Sequence, residues 1–396
     1  MRVRPEIAQL AEEMRSWRHH LHAHPETAYE EHETADFIAA RLESWGIEVA
    51  RGLAVTGIVG TLRAGSSARS VGLRADMDAL HLQELNDFSH ASKVVGKMHG
   101  CGHVGHMAML LGAAACLART RNFDGTVHFI FQPAEENEAG ARRMTQEGLF
   151  QKFPMDAVFG MHNYPIVPAG QIVVRPGPMM ASADFFEVKV TGRGAHAAFP
   201  HTGIDAICIA SEIVLALNQI AARTVEPLEP AVISVTMFNA GESTNVLPQV
   251  ATIAGTTRTF STEVQNDLEK RMRRLCEGIA AAHGATVEFS YDRRYPPTLN
   301  HPAETEFVTA VAERVVGADN VLRDVRPVMG SEDFAWMLLE KPGSYVWIGN
   351  GPDHQGGCML HNPGYDFNDR ILPIGANYWV ELAESWLAAA QRDGVR

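Results

Sequence analysis

The order of strands and helices changes abruptly near residue 182, and this change does most to limit the possible folds. Before it, helices alternate with short apolar strands, predicted at Gly57–Leu62, Ser70–Arg74, Thr126–Phe131 and Ala157–Met161. A helix is predicted at His106–Ala118, between the second and third of these strands. Such alternation predicts an α/β sheet that is covered by helices on both faces.

Between residues 182 and 296 the predicted order is strand, helix, two strands, helix, strand. The segments are Phe185–Val190, Ile204–Ala221, Val232–Asn239, Ala251–Phe260, Glu263–Ala282 and Ala285–Tyr291. This is the split βαβ order that is typical of ferredoxin-like domains. The mixed pattern then returns and ends in a helix near Tyr378–Ala390. We therefore expect a first domain at 1–181 and 297–396, interrupted by a second domain at 182–296.

Charge and composition narrow the classes of partner. The chain has 34 basic and 47 acidic residues, a net charge of −13, and no block rich in Lys and Arg. This balance argues against nucleic acid and anionic membranes as partners. No long uninterrupted apolar stretch suggests a signal peptide or a membrane span, and the five scattered cysteines suggest a reducing compartment. We expect a cytoplasmic protein.

The densest chemical signal is the segment Met98–His106, which reads MHGCGHVGH. It places one thiol, Cys101, and three imidazoles, His99, His103 and His106, in a short glycine-rich loop that leads into a helix. Cysteine and histidine are preferred ligands of zinc and similar metals, and the glycines allow the backbone to curl until side chains converge. The alternative is a set of solvated or hydrogen-bonded surface histidines.

Other polar side chains follow the predicted strands. Glu135–Glu136 comes after Thr126–Phe131, Asp76 and Asp78 come after Ser70–Arg74, and His162 comes after Ala157–Met161. Ligands of open α/β sheets bind outside the carboxyl ends of the strands, so these groups are expected to converge. A solvated acidic turn would explain the glutamate pair alone, but not the coincidence of several such positions.

An ordered series of motifs spans essentially the whole chain. They are Arg18–Glu26, Gly72–Leu80, His99–His106, Gln132–Glu136, Gly160–Asn163, Gly192–His201, Asn245–Pro248, Gly330–Phe334 and His361–Gly364. Together they resemble the M20 family of metallopeptidases, in particular its branch of hippurate hydrolases, aminoacylases and auxin-conjugate amidohydrolases. The resemblance implies an α/β catalytic domain with a mixed sheet flanked by helices, interrupted by a ferredoxin-like α+β lid and dimerisation domain.

The same resemblance implies the parts of an active site. It implies two divalent metal ions, which the residue types allow to be zinc, manganese, cobalt or nickel. The implied ligands are Cys101, His103, Glu136, His162 and His361. Glu135 is implied as the general base and Asp78 as a carboxylate that supports the ligands.

In the second domain, the resemblance implies that His196 helps to polarise the scissile carbonyl, and that Asn245 and Arg258 hold the substrate carboxylate. The expected activity is hydrolysis of N-acyl amino acids by a homo-oligomer, a dimer or a dimer of dimers.

Two alternatives stay open. The same site could serve a dipeptidase or carboxypeptidase, although no carboxylate can be assigned to receive a free α-amino group. The chain could also be a catalytically impaired metal-binding relative, because Val104 stands where this branch usually has aspartate. The intact Glu135–Glu136 pair argues against that second alternative, since a silent relative would have no chemical need for the base.

Overall fold

The computed structural model describes residues 3–136, 138–354 and 356–388. Within these ranges the α-helices are α1 (Pro5–Ala8), α2 (Ala11–Ala23), α3 (His32–Ser44), α4 (His103–Thr120), α5 (Gly140–Gln146), α6 (Leu149–Lys152), α7 (Ala206–Arg223), α8 (Thr262–Ala282), α9 (Pro302–Val316), α10 (Ala335–Glu340) and α11 (Leu372–Trp386).

The strands in the same ranges are β1 (Glu48–Leu53), β2 (Gly57–Ala64), β3 (Ser70–Asp76), β4 (Gly125–Gln132), β5 (Ala157–Tyr164), β6 (Ile172–Val173), β7 (Gly177–Met180), β8 (Ala183–Thr191), β9 (Ala195–His196), β10 (Ala231–Ala240), β11 (Val246–Leu247), β12 (Val250–Thr259), β13 (Thr286–Tyr295), β14 (Thr298–Asn300), β15 (Val321–Leu322) and β16 (Gly343–Gly349).

The chain divides into two compact units. Unit 1 comprises Met1–Gly177, Leu299–Arg326 and Asp333–Arg396, and unit 2 comprises Pro178–Thr298 and Pro327–Glu332. The sequence pattern gave no reason to separate residues 327–332 from the first domain. They join unit 2 because the backbone of Val328 bonds to the start of that unit: its N–H donates to the Met179 carbonyl at 3.2 Å, and its carbonyl accepts from the Ala181 N–H at 3.1 Å.

The main sheet of unit 1 is mixed, in the order β1-β2-β4-β3-β5-β16-β6-β15. Strand β3 is parallel to both β4 and β5, and β16 is parallel to β5, so these four strands end at the same edge. All seven residues of β3 and of β16 are buried, as expected for parallel strands that are covered on both faces. The four strands predicted in this region are present, each longer than predicted.

Two helix predictions in unit 1 need correction. Helix α4 begins at His103 rather than at His106, because Gly102 adopts a left-handed conformation (φ +94°) that takes the loop directly into the helix. The final helix occupies Leu372–Trp386 and therefore starts before the predicted Tyr378. Residues 389 and 390 of that prediction lie outside the described residues.

Unit 2 contains a four-stranded antiparallel sheet in the order β10-β12-β8-β13. Helices α7 and α8 pack against each other and on this sheet, so the chain order β8-α7-β10-β12-α8-β13 is the predicted ferredoxin-like arrangement. Helix α7 is long and apolar enough to cross a membrane by length and composition alone, but Ile209, Ile213 and Leu217 are buried in the core of unit 2.

Candidate metal centre and active site

The parallel edge of the unit 1 sheet collects the polar side chains that the sequence singled out. Asp78 follows β3, and Glu135 and Glu136 follow β4. His162 lies on β5, and His361 lies in the loop that follows β16. The Cys101 loop enters α4 beside the same strands, because His103 contacts Asp78 and Cys101 contacts His162.

Glycine is required where this loop turns. A Cβ atom on Gly102 would lie 2.2 Å from Asn163 Oδ1 and 2.6 Å from Tyr365 Oη, far inside van der Waals contact. Its positive φ is also unfavourable for any residue with a side chain. The sequence Cys-Gly-His therefore places the thiol and the imidazole on either side of a turn that only glycine can make.

The five predicted metal ligands converge. Their ligand atoms form overlapping groups in which all atoms lie within 4.8 Å of one another: Cys101, His103 and His162; Cys101, Glu136 and His361; and His103, Glu135 and Glu136. Because Cys101, His103 and Glu136 each belong to two groups, the groups form one continuous cluster. A further group, Asp76, His106 and His162, was not part of the predicted ligand set.

One buried atom in the cluster is suited to bind a cation. His103 Nε2 has no hydrogen-bond partner among the described residues, although the side chain is completely buried. It lies 3.9 Å from Glu136 Oε1. An unpaired buried polar group costs about 1–3 kcal/mol, so such atoms are rare. Two ligands about 2 Å from one ion are separated by roughly this distance, so the residues fit a divalent metal.

The electrostatics of the cluster also favour a cation. Burial alone would lower the pKa of His103, but Asp76, Asp78 and Glu136 raise it to about 10. Burial and the charges of Glu136 and Glu135 raise the pKa of the Cys101 thiol well above its usual value. Burial is the largest cause of the thiol shift, and the buried carboxylates raise the pKa of both groups. A bound divalent ion would offset the charge of these carboxylates and favour the thiolate.

Asp78 orients two of the proposed ligands, His103 and Glu136. Its main-chain carbonyl accepts a hydrogen bond from His103 Nδ1 at 2.8 Å, which leaves Nε2 directed at the ligand position. Its Oδ2 accepts the main-chain N–H of Glu136 at 2.9 Å. Asp78 is 1% exposed and belongs to none of the ligand groups. Its geometry therefore suits a supporting carboxylate.

Val104 is a core residue. Its side chain is completely buried within the apolar cluster that also contains Met107, Leu111 and Phe367. The three ligand groups that include Cys101 or Glu136 are complete without a carboxylate at position 104. The structure therefore gives no reason to regard the cluster as impaired by this valine.

The remaining predicted residues lie in unit 2. His196 is exposed on β9 and pairs with Val246 of β11. The neighbouring Asn245 is also exposed, and its carbonyl accepts the N–H of Ala197 at 3.0 Å. The β9–β11 pairing thus brings His196 and Asn245 together.

Arg258 lies on a different strand, β12, and is half-buried, which lowers its pKa. Its guanidinium donates to Thr256 Oγ1 and to the Thr257 carbonyl.

Sequence reasoning missed three buried residues beside the cluster. It assigned no role to Arg74, Gln132 or Asp333, which hydrogen-bond to one another. Each lies inside a quoted motif, and an arginine in a strand that is otherwise apolar was an available signal. The identity of its partners was not available, because Asp333 is 259 residues from Arg74.

Comparison with known proteins gives a consistent result. Residues 72–385 match the model of "Peptidase family M20/M25/M40". A hippurate hydrolase from Campylobacter jejuni is 39% identical over 98% of this chain and 100% of its own length. An N-acetylcysteine deacetylase from Bacillus subtilis is 39% identical over 92% of this chain and 94% of its own.

A solved structure extends the comparison. The crystal structure of a dinuclear metal-binding peptidase of the M20 family from Bacillus subtilis has a TM-score of 0.84 and 35% identity. The match covers 96% of this chain and 99% of that chain.

Proposed function

The chain belongs to peptidase family M20/M25/M40, and we propose that it hydrolyses the amide bond of N-acyl amino acids to give a carboxylic acid and a free amino acid. The observation that carries this proposal is the convergence of one thiol, three imidazoles and two adjacent carboxylates at a single sheet edge. The relatives named above, two of which act on acylated amino acids by name, support the substrate class.

The proposed cofactor is a pair of divalent ions: zinc, manganese, cobalt or nickel. Cys101, His103, Glu136, His162 and His361 would hold them. When bound, such ions lower the pKa of water and polarise the amide carbonyl. The structure of the dinuclear relative supports the number of ions, and the mixed thiol, imidazole and carboxylate donors suit these metals.

Glu135 is the proposed general base. Its side chain is 7% exposed and belongs to a ligand group with His103 and Glu136, so it lies beside the proposed ligands without being needed to complete the Cys101 groups. It takes a proton from the attacking water and then delivers it to the leaving amine. Without this delivery the amine is a poor leaving group, so one carboxylate acts twice.

The groups of unit 2 are proposed to recognise the substrate. His196 polarises the scissile carbonyl, and Asn245 and Arg258 bind the carboxylate of the amino-acid portion. The hydrogen bonds of Arg258 go to neutral oxygens, so a substrate carboxylate would be a stronger partner than those it has. This predicts a preference for amides next to a free carboxylate over internal peptide bonds.

We further propose a cytoplasmic homo-oligomer, a dimer or a dimer of dimers, that acts on a small molecule and not on nucleic acid or membranes. Strand β10 lies at the edge of the unit 2 sheet, and Met237 and Phe238 on it are 56% and 43% exposed. An exposed apolar edge strand is a site for pairing with another copy. Light scattering of the purified protein tests this.

The decisive experiment combines metal content with turnover. We expect two metal ions per chain, hydrolysis of hippurate that a chelator abolishes and added metal restores, and much slower hydrolysis of phenylalanyl-glycine, a dipeptide of similar size. Faster cleavage of the dipeptide would instead make the protein a dipeptidase. A fully metal-loaded chain that cleaves no N-acyl amino acid would overturn the proposal.

A further inference from the structure

A completely buried arginine lies beneath the candidate site. Arg74 of β3 donates from Nε to Gln132 Oε1 at 2.7 Å, from Nη1 to Asp76 Oδ2 at 2.8 Å and from Nη2 to Asp333 Oδ1 at 3.0 Å. Removing a guanidinium from water is costly unless its geometry and pairing are good. These contacts satisfy the cation from three directions and tie together three separate segments of unit 1.

Asp333 uses both of its carboxylate oxygens as acceptors. Gln132 Nε2 lies 2.9 Å from each oxygen, and the main-chain N–H of Ala141 donates to Oδ2 at 2.8 Å. One carboxylate therefore binds Gln132 and Ala141, the two ends of segment 132–141, which carries Glu135 and of which the structure describes residues 132–136 and 138–141. Asp333 also contacts Glu135 directly, because its main-chain N–H points at Glu135 Oε1 at 3.4 Å.

Segment 132–141 needs this support. Ala134 has a positive φ of 55°, an unfavourable conformation for a residue with a side chain. The Gly140 N–H closes the turn on the Ala134 carbonyl at 2.9 Å. Such a backbone persists only when surrounding contacts fix it, and the Gln132 and Asp333 side chains supply contacts at its two ends.

Arg74 is also linked to the imidazoles, through Asp76. Asp76 Oδ1 accepts from His106 Nδ1 at 2.5 Å, and the His106 ring lies edge-to-face with His162, with ring centres 4.4 Å apart. The Arg74 guanidinium therefore pairs with two carboxylates: Asp333, which binds Gln132 and Ala141, and Asp76, which binds His106.

We propose that Arg74, Gln132 and Asp333 form a positioning clamp that fixes the direction of the Glu135 carboxylate relative to Glu136. The clamp residues act through Glu135 and do not touch substrate. The role of Glu135 as base rests on the function proposed above. The contacts that Gln132 and Asp333 make within segment 132–141 do not depend on that function.

The first test is Asp333→Asn. An amide keeps one acceptor but places an NH₂ group against the donors of Gln132, Ala141 or Arg74. We expect kcat on hippurate to fall about 10–100-fold, the range for groups that orient a site, with KM changed less than about twofold. In a Glu135→Gln background, Asp333→Asn should lower kcat by less than about a further twofold, because the effects of residues that act as a unit are not additive.

Hydrogen exchange tests the clamp without any substrate. In metal-loaded Asp333→Asn, the main-chain amides of residues 134–136 and 138–141 should exchange at least about tenfold faster, while α7 keeps the parent rate. Glu384→Gln is the matched control, since it breaks a partly buried ion pair with Arg4, and should change neither measurement. Gln132→Met keeps both charges of the clamp, and should give the same pattern with a smaller loss of kcat, about 3–10-fold.

The outcomes separate the two proposals. If the parent cleaves no N-acyl amino acid, the proposed function fails and the exchange measurement still decides whether the clamp exists. Unchanged exchange at residues 134–136 and 138–141 of Asp333→Asn overturns the clamp, and so do fully additive losses with Glu135→Gln. If Asp333→Asn does not fold, Gln132→Met is judged by the same two criteria.

Discussion

The groups proposed to bind metal in unit 1 and those proposed to bind substrate in unit 2 differ most in burial. In unit 1, Cys101 and His103 are 8% and 0% exposed, and most of the cluster is buried with them. In unit 2, His196 and Asn245 are exposed and Arg258 is half-buried. Unit 1 presents a cluster of mostly buried ligands, and unit 2 presents solvent-accessible groups on separate segments.

This difference follows from what each set must do. A metal ion binds several ligands together, so the ligands must be held in place by the surrounding protein. Carboxylates that serve as ligands or orient them bring buried negative charge to the site. A substrate must enter and leave, so the groups that recognise it stay accessible to solvent. Substitutions in unit 1 should therefore change metal binding and kcat, and substitutions in unit 2 should change substrate selectivity.

The largest expected effect separates two neighbouring carboxylates of unit 1. Glu135→Gln should keep both metal ions and the KM for hippurate but lose about 10²–10⁴ in kcat, the range of general acid–base catalysis. Glu136→Gln, the isosteric change one residue along, should lose metal instead. Metal analysis and steady-state kinetics on both variants check this, and near-normal turnover by Glu135→Gln would remove Glu135 from the mechanism.

An intermediate effect concerns a carboxyl group that unit 1 buries outside the metal cluster. Glu31 accepts hydrogen bonds from the Ala134 N–H at 2.9 Å and from Thr56 Oγ1 at 2.6 Å. Burial raises its pKa from 4.5 to about 7. Because the folded-state pKa is the higher one, protonated Glu31 stabilises the fold fully below about pH 4.5, and about 3 kcal/mol of this is lost as the pH rises through 7.

Glu31→Gln cannot ionise, and Thr56 can accept from its amide. Its free energy of unfolding relative to the parent should therefore improve by up to about 3 kcal/mol between pH 5 and pH 8, measured by urea denaturation. Glu33→Gln, at an exposed position in the first turn of α3, which directly follows Glu31, should keep the pH profile of the parent. A profile for Glu31→Gln that parallels the parent would show that Glu31 stays ionised when buried.

The smallest expected effect lies in unit 2. Arg258→Ala should reduce kcat/KM about 10–100-fold for hippurate but less than about threefold for hippuramide, since only the free carboxylate offers a bidentate, charge-assisted partner. Arg271→Ala, which removes a partly exposed arginine of α8 paired with Asp267, should change the kcat/KM of neither substrate. Equal losses on hippurate and hippuramide would make Arg258 a structural residue and weaken the contrast between the units.

Some of the site could be predicted because its geometry is encoded locally. Asp78, Glu135 and His162 follow or end apolar strands, and parallel strands bring their carboxyl ends to one edge whatever the details of packing. Cys101 and His103 are separated by one glycine, so their proximity is a property of the backbone. The ferredoxin-like order of unit 2 was equally visible, because it depends only on the sequence of elements.

What depended on tertiary structure involves contacts between distant segments. The pattern of residues could not show that Asp333 would reach across 201 positions to Gln132, or that Val104 would pack in the core. Nor could it show that residues 327–332 would join unit 2. Residue type and periodicity determine which side chains can bind a metal or form a strand. Which buried charge meets which partner is decided only when the whole interior is packed, because such pairs are stable only after water is excluded from both at once.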